Sequence, residues 1–514
     1  MPAPTGVQQK WASTSLTCTT IMTTDSGPAL NFIIVGASVA GLASAIALKA
    51  SRHNVLVLEK EFQLGGTGPV SSACARVPPN GSKILFDWGL EAQTRANSNI
   101  GAGFDCYKYD GGMAPGRDFV GVNRWNPELM AEARGDFVQF RHKDLLRILY
   151  EEAIKPSKRL QSHDKLPPRI TVLFGEEVVS VDCDSSSVTM RSGEVHTGDA
   201  IIGADGVRGV VRRALLQEED VDPESCDVPS GMALYGAVVP MALALKDPDL
   251  SAFYEYPQST VGLGTGRGLI TLVGGKDNDI SVWVYTPDGE QDGSWTESAD
   301  QKLVDILGPC DSQIKKLAAL AGPATCVQIK EFHELESWVS ESGRVLILGD
   351  AAHPFPAASL HTYSTTLEDA AFLGKIFSHT RNPERVPEFL YAFEEHRRDR
   401  CAQIREQDVA YMHVITVGDE QLEASMRANQ AAGRNLMEGE ESHLQQMLED
   451  MRMVFGYDPA DDADEWWMSW GRFRDSPKAP VEQYLNGNGN GHNGHQATSW
   501  ANFSSVTSVE AQPE

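Results

Sequence analysis

Residues 31–60 read NFIIVGASVAGLASAIALKASRHNVLVLEK, and this stretch decides the fold. A short apolar run at residues 31–35 predicts a β-strand, and the small residues at 36–41 predict a tight turn. An Ala-rich helix follows over residues 42–50, and a second apolar strand ends at the acid Glu59. Strand, turn, helix and strand in this order form a βαβ unit, which predicts an α/β fold of the Rossmann type.

The turn carries a G-x-G-x-x-G fingerprint in which Ser38 replaces the middle glycine between Gly36 and Gly41. Gly36 permits the sharp turn, Gly41 permits close packing of helix on strand, and a small middle residue lets a pyrophosphate approach the helix N-terminus. Glu59 follows Gly41 by 18 residues (59 − 41), near the spacing of about 20 at which an acid binds a ribose hydroxyl. The pattern predicts a site for FAD or for a nicotinamide dinucleotide; small residues in a helix-packing turn are the alternative.

Two later stretches repeat the pattern of an apolar strand that ends in small residues and an acid. The first, DAIIGADGVRGVVRR at residues 199–213, contains Asp205, for which a simple helix cap is the alternative role. The second, GRVLILGDAAHP at residues 343–354, contains Asp350. Because the carboxyl ends of parallel strands converge on one crevice, we predict that both acids share a ligand site with the first turn.

The chain between and beyond these motifs suggests several further segments. Repeated short strands over residues 232–286, one of them at 252–256, predict an antiparallel sheet inserted as a substrate domain. Low-complexity sequence near the end predicts disorder. The predicted organisation is a flexible arm at 1–30, a dinucleotide-binding domain in two parts at 31–230 and 331–400, the substrate domain at 231–330, a C-terminal helical region at 401–480 and a disordered tail at 481–514.

Composition excludes several classes of function. The net charge is −27, from 44 basic and 71 acidic residues, which argues against a nucleic-acid partner or an anionic membrane surface. The eight cysteines form no C-x-x-C pair, so we expect reduced thiols and no metal centre. No apolar run reaches the ~20 residues that span a bilayer, and the first 30 residues lack a signal-peptide core, so we expect no transmembrane segment and a cytoplasmic location.

Together, GASVAG with Glu59, GADGVRGVVRR, and GRVLILGDAAHP followed by LEDA resemble the FAD-dependent aromatic hydroxylases of the salicylate and para-hydroxybenzoate hydroxylase type. The resemblance extends from about residue 31 to about residue 400. It implies a Rossmann-type FAD-binding domain with an inserted, mostly antiparallel β-sheet substrate domain and a C-terminal helical region. It also implies cofactor contacts: the pyrophosphate at Gly36, Ser38 and Gly41, the adenosine ribose at Glu59, the ribityl chain at Asp350, and both FAD and the reduced nicotinamide at Asp205.

The chain departs from the family pattern at three places. The family has His-Arg where Arg141 and His142 stand, and the resemblance implies an FAD contact for Arg141. A serine is usual in the family where Gly209 stands. After His353 the family favours Gly-Gln-Gly or Ala-Gln-Gly, whereas this chain has Leu-His-Thr at residues 360–362.

The last departure bears on the flavin. The family's residues there let the backbone approach the isoalloxazine ring, so we expect Thr362 to crowd the flavin or to change how it moves. His361 has two possible roles, either a flavin or substrate contact or a residue that packs the loop.

The activity that the resemblance implies is reduction of FAD by NAD(P)H, capture of dioxygen as a flavin hydroperoxide, and hydroxylation of an aromatic or polyketide-like small molecule in secondary metabolism. Arg212 is a candidate counter-ion for a phenolate and Tyr235 a candidate hydrogen-bond donor; a surface arginine and a packed sheet tyrosine are the alternatives. The resemblance does not distinguish NADH from NADPH and leaves the substrate and the oligomeric state open.

Three functions fit these motifs. The first is hydroxylation, the second is epoxidation or Baeyer-Villiger insertion by the same flavin chemistry, and the third is a flavin-binding protein with impaired turnover. The third is suggested by residues 360–362. A flavin halogenase is disfavoured, because the chain lacks the Trp-x-Trp-x-Ile-Pro signature.

Overall fold

A computed structural model describes residues 28–66, 74–110, 118–156, 168–224, 227–254, 259–287, 299, 301–418, 420–431 and 441–475. Most of the predicted arm at 1–30 and all of the predicted tail at 481–514 lie outside these residues. Residues up to Trp467 form one compact unit; in the second unit, Gly471–Asp475 is a short 3₁₀ helix.

The described strands, in chain order, are β1 Asn31–Val35, β2 Asn54–Glu59, β3 Cys74–Val77, β4 Ser98–Ile100, β5 Gly103–Lys108, β6 Phe119–Arg124, β7 Val138–Arg141, β8 Ile170–Phe174, β9 Val178–Asp182, β10 Ser187–Met190, β11 Val195–Thr197, β12 Ala200–Gly203, β13 Asp227–Val239, β14 Ser259–Leu263, β15 Gly268–Gly274, β16 Asp279–Pro287, β17 Thr325–Phe332 and β18 Val345–Ile347. The α-helices are α1 Val39–Ala50, α2 Pro79–Asp87, α3 Glu91–Ala96, α4 Pro127–Ala133, α5 His142–Ile154, α6 Val210–Glu218, α7 Met241–Ala244, α8 Leu303–Ile306, α9 Ser312–Ala319, α10 Thr362–Phe377, α11 Val386–Val417, α12 Glu420–Ala431, α13 Glu441–Gly456 and α14 Pro459–Ser469.

The first sheet is parallel and has five strands in the order β18-β12-β1-β2-β8. All its strand pairs are parallel, with Ile33 opposite both Leu56 and Ile201. The three central strands are almost wholly apolar because the sheet is covered on its faces, as is usual for parallel sheets. The predicted α/β fold is therefore confirmed, and the three motif strands β1, β12 and β18 are neighbours.

The second large sheet has seven strands in the order β17-β13-β16-β15-β14-β5-β6 and is mostly antiparallel, as predicted; β14 and β5 run parallel. Strands β5 and β6 lie at residues 103–124, so the sheet draws on chain outside the predicted insert at 231–330. The strand predicted at 252–256 is wrong over its described residues 252–254, because Pro248–Phe253 forms a 3₁₀ helix that Asp247 caps. Proline at its first turn favours that start.

Helices follow the parallel sheet, as the sequence predicts. The longest helix in the described part of the chain is α11, which has 32 residues and begins before the predicted boundary at 401. Among the described residues, no helix combines the length and the apolar character that crossing a membrane would need.

Candidate active site

The carboxyl ends of β1, β12 and β18 open into one cavity of about 880 Å³. Half of the ten residues predicted for the site line it, namely Gly36, Ser38, Glu59, Asp205 and Asp350. The other five lie outside the lining: Gly41, Arg141, His361, Arg212 and Tyr235. The three motifs therefore meet at one cavity, whereas several other predicted side chains lie away from it.

The first turn is shaped by close backbone contacts. Gly36 has φ +100°, and a Cβ there would lie 2.6 Å from the carbonyl oxygen of Ala204. Ser38 caps α1: its Oγ accepts from the Gly41 nitrogen at 3.3 Å and donates to the Ala204 carbonyl at 2.9 Å. Gly41 is buried, and a Cβ there would lie 2.0 Å from the Gly36 oxygen, so the structure assigns it to packing and corrects its predicted place facing the pyrophosphate.

Glu59 ends β2 and turns its carboxylate toward the same turn. Its Oε2 accepts from the Ala37 nitrogen at 2.7 Å, and its Oε1 accepts from the Glu61 nitrogen at 2.9 Å. Two backbone donors therefore hold the carboxylate in place at the cavity wall. A fixed, partly exposed carboxylate fits a ligand that offers hydroxyl groups.

Asp205 lies where β12 meets α6. One of its oxygens accepts from the Val211 nitrogen at 3.2 Å, while Oδ1 is buried without a hydrogen bond among the described residues. Burial raises the pKa of Asp205 to about 6. A Cβ on Gly209 would lie 2.2 Å from the Asp205 carboxyl carbon, so the Asp205 carboxyl occupies the space that a side chain at 209 would need.

Asp350 is accessible inside the cavity, yet the surrounding protein raises the pKa of its carboxyl. Asp369 of α10 contacts the turn that carries Asp350 on the side away from the cavity. Asp369 accepts from the Gly349 nitrogen at 3.1 Å, lies 2.6 Å from His353 Nε2, and accepts from Arg397 Nε at 2.9 Å. Burial alone would raise the pKa of Asp369, but His353 and Arg397 hold it below its ordinary value.

The same buried cluster contains the ligand set that most resembles a metal site in the described part of the chain. His353, Asp369 and Cys401 bring potential ligand atoms close together. Arg397, however, forms ion pairs with both Asp369 and Glu368 at 2.9 and 2.8 Å, so a positive charge already balances the acids. We assign this cluster to holding α10, α11 and the Asp350 turn together.

Arg141, for which the resemblance implies an FAD contact, lies outside the cavity lining. Arg141 ends β7 and forms an ion pair with Asp279 of the inserted sheet. The next residue, His142, begins α5 and lines the cavity, with Nδ1 3.0 Å from the hydroxyl of Tyr363. Burial lowers the pKa of His142 to about 4, so its imidazole is neutral at neutral pH.

Both candidate catalytic residues lie away from the cavity. Arg212 is 1% exposed, donates to the Ala351 carbonyl at 2.7 Å, and also donates to the His333 carbonyl. It is therefore neither a substrate counter-ion nor a surface arginine. Helical spacing explains the error: Gly209 and Arg213 share a face of α6 and both line the cavity, whereas Arg212 points elsewhere.

Tyr235 is buried in the apolar cluster on the far face of the inserted sheet. It pairs with Val284, whereas the neighbouring residue Trp283 faces the other way and lines the cavity. Successive side chains of a strand point to opposite faces, so Tyr235 is directed away from the site. The alternative of a packed sheet tyrosine is the one that the structure supports.

His361 likewise takes the alternative role of packing the loop. Its Nδ1 lies 2.8 Å from one oxygen of Asp408, and its backbone nitrogen donates to the other at 2.8 Å. Both residues are almost fully buried, which ties the start of α10 to α11. Thr362, in contrast, lines the cavity as expected.

Sequence reasoning missed the residues that line the cavity beside the inserted sheet. They come from separate elements and loops and include Cys74, His142, Trp283, Phe355 and Tyr363. No motif marks Trp283, because the pairing of β13 with β16 decides which face of the sheet it occupies. The sequence did carry a signal for His142, because Arg141 and His142 stand in the reverse order of the family's His-Arg pair.

Comparison with known proteins agrees with this geometry. A family model described as an FAD binding domain matches residues 30–408. The chain belongs to this FAD-binding family. Among curated relatives of the family, the FAD-dependent monooxygenase OpS4 of Beauveria bassiana is 23% identical over 382 residues, which cover 74% of this chain and 83% of the relative. Hispidin-3-hydroxylase of Neonothopanus nambi is 28% identical over 389 residues, which cover 72% and 86%.

A solved structure of the same FAD-binding fold, a salicylate hydroxylase substrate complex, superposes with a TM-score of 0.61 at 17% identity. The match covers 85% of this chain and 97% of that one. The predicted resemblance to the aromatic hydroxylase family and the expectation of an FAD-dependent monooxygenase are thereby confirmed.

Proposed function

We propose that this enzyme uses NAD(P)H and dioxygen to hydroxylate an aromatic or polyketide-like small molecule in secondary metabolism. The observation that carries the proposal is the single cavity in which the Gly36 turn and the acids Glu59, Asp205 and Asp350 meet Trp283 of the inserted sheet. A dinucleotide site and an aromatic wall thus share one space. The curated relatives, named as monooxygenases and a hydroxylase, support this class of reaction.

The residues at the parallel sheet fit FAD. The N-terminus of α1, behind Gly36 and Ser38, offers backbone N–H groups to a pyrophosphate. Glu59 offers a fixed carboxylate to the adenosine ribose, and the unpartnered Oδ1 of Asp205 accepts a further donor. Asp350 would contact the ribityl chain. When bound, FAD supplies the electron transfer from NAD(P)H and the activation of dioxygen.

The residues beside the inserted sheet fit a flat, largely apolar substrate. Trp283 and Phe355 provide aromatic surface, against which a substrate ring stacks and from which water is excluded. Burial raises the pKa of the Tyr363 hydroxyl, so it stays protonated, and the neutral His142 beside it fixes its orientation. When His142 Nδ1 carries the ring proton and donates it to the Tyr363 oxygen, the Tyr363 hydroxyl can donate a hydrogen bond to a substrate oxygen, the role first assigned to Tyr235.

Impaired turnover is the second candidate function, and it has one observation in its favour. Thr362 lines the cavity at the start of α10, where the family has a smaller residue. Epoxidation and Baeyer-Villiger insertion use the same cofactor and are separated from hydroxylation by the structure of the product.

The test begins with the purified protein. Heat release of its chromophore should identify FAD, and NADPH and NADH oxidation are then measured against a panel of phenols, aromatic acids and polyketides. We expect at least one compound to accelerate the oxidation and to yield a product heavier by one oxygen atom. A colourless protein that FAD cannot reconstitute contradicts the proposal, and FAD binding with no stimulated oxidation favours impaired turnover.

A further inference from the structure

The loop between β18 and α10 has a conformation that its own sequence does not favour. Residues 355–359 of this loop line the cofactor cavity. Ala358 has φ +64°, in the left-handed region that suits glycine, and residues 353–361 contain no glycine. Contacts from elsewhere in the chain must therefore stabilise the loop.

Two side chains supply such contacts. Arg76 of β3 donates from Nη2 to the carbonyl oxygen of Ala358, and the Tyr285 hydroxyl of β16 donates to the carbonyl oxygen of Ala357 at 3.3 Å. Arg76 also lies over the ring of Trp283, with 5.1 Å from its Cζ to the ring centroid. The two loop carbonyls are thus bonded to Arg76, which stacks on Trp283, and to Tyr285, which lies on the same strand as Trp283.

Arg76 is well suited to hold a carbonyl in place. It is half-buried, its Nη2 atom donates to a carbonyl oxygen, and the negative charge of Asp408 favours its ionised form. Its charge therefore strengthens the bond to Ala358, because hydrogen bonds from an ionised donor are stronger than neutral ones. The stacked Trp283 restricts the guanidinium further.

We propose that Arg76, together with Tyr285, positions the loop at residues 355–359 and so sets the shape of the cavity wall that faces FAD. Arg76 acts through the loop and is a positioning residue. Arg76 on β3 and Tyr285 on β16 of the inserted sheet thereby connect the substrate side of the cavity to its cofactor side. The proposal rests on FAD binding and is independent of which substrate the enzyme uses.

The test compares FAD binding by wild type, Arg76→Gln and Tyr285→Phe, using fluorescence titration of the apoprotein and the visible absorption band of the bound flavin. We expect Arg76→Gln to raise the FAD dissociation constant about tenfold and to shift the band, as loss of one charge-assisted hydrogen bond predicts. Tyr285→Phe should raise it about threefold. Arg76→Lys, which retains a charged donor, should recover most of the affinity.

Arg124→Gln is the matched control. Arg124 also donates to carbonyl oxygens on the inserted sheet, those of Phe104 and Asn123, but does not line the cavity. It should leave the FAD affinity and the absorption band unchanged. If the Arg76→Gln variant folds and keeps the FAD affinity and absorption band of wild type, the proposal is overturned. If Arg76→Gln does not fold, wild-type affinity and absorption in Tyr285→Phe overturn it.

A double-mutant cycle with Ala358→Gly separates positioning from a general structural role. Glycine adopts the left-handed conformation without steric strain, so the loop should depend less on Arg76. We expect the effect of Arg76→Gln to shrink from about tenfold to about threefold in the Ala358→Gly background. An equally large effect of Arg76→Gln on FAD affinity in the Ala358→Gly background contradicts the positioning role of Arg76. Absence of FAD binding by wild type would instead refute the proposed function.

Discussion

The Oε2 atom of Glu59 lies 2.7 Å from the backbone nitrogen of Ala37, so the acid that ends β2 is bonded to the turn that follows β1. The other carboxylate oxygen binds the nitrogen of Glu61 at 2.9 Å. Glu59 therefore shapes the first turn in addition to facing the cavity. Its loss affects the cofactor site in two ways at once.

Glu59→Ala should weaken FAD binding by about 10-fold to 100-fold, because it removes both the predicted ribose contact and the bond to Ala37. Glu59→Gln should have an intermediate effect, since one amide oxygen can still accept the Ala37 N–H. Fluorescence titration of the apoprotein measures both. Glu151→Ala, on the exposed side of α5, is the control and should have no effect. Equal affinities for Glu59→Ala and wild type would contradict the assignment.

Gly209→Ala should lower the free energy of unfolding by about 1–3 kcal/mol, because the new Cβ would meet the carboxylate of Asp205 at 2.2 Å. Urea unfolding of the apoprotein measures the change. Gly456→Ala is a matched control, since a Cβ there meets no atom within 4 Å. A Gly209→Ala variant as stable as the control would show that the Asp205 side chain can move away.

Arg212→Ala should destabilise the protein by about 2–4 kcal/mol, because it leaves the buried carbonyl of Ala351 and the partly buried carbonyl of His333 without this donor. Arg213→Ala, which removes an exposed neighbour, should change the free energy of unfolding by about 0.5 kcal/mol or less. Urea unfolding distinguishes the two. A stable Arg212→Ala protein that has lost only turnover would restore the catalytic role first predicted for this residue.

Asp205→Asn should stabilise the apoprotein more at about pH 7.5 than at about pH 4.5. The pKa of Asp205 is raised by burial from 3.8 to about 6, so between these values the folded state binds more protons than the unfolded state. The free energy of unfolding of wild type therefore falls as the pH rises through this range and stays low above it. We expect the increase in the free energy of unfolding caused by Asp205→Asn to be about 2 kcal/mol larger at the higher pH, as urea unfolding measures it. Equal stabilisation by Asp205→Asn at the two pH values would contradict the raised pKa of Asp205.

Tyr235→Phe should leave the KM for the substrate and the FAD affinity unchanged, because this side chain packs on the far face of the sheet. Trp283→Leu should raise the KM by about tenfold, since it removes aromatic surface from the cavity. Steady-state oxidation of NAD(P)H with the substrate found in the panel measures both. A large change in KM for Tyr235→Phe and none for Trp283→Leu would show that Tyr235, and not Trp283, lies on the face of the inserted sheet that meets the substrate.

Two of the five predicted residues that lie outside the cavity lining miss it by one position. Arg141 was expected where His142 lies, and Arg212 where Arg213 lies. A step of one residue turns a side chain by about 100° on a helix and to the opposite face on a strand. Local sequence locates an element to within a few residues, so it cannot by itself assign the side chain that faces a ligand.

The amino-acid sequence alone determined the α/β fold, the Gly36 turn and the convergence of Glu59, Asp205 and Asp350. These features follow from local backbone requirements and from the rule that neighbouring parallel strands end at one edge of the sheet. Only the tertiary structure decided the lining beside the inserted sheet. Arg76 meets Ala358 across 282 positions of sequence, and His361 meets Asp408 across 47. Such contacts depend on how distant elements pack, which no local pattern encodes.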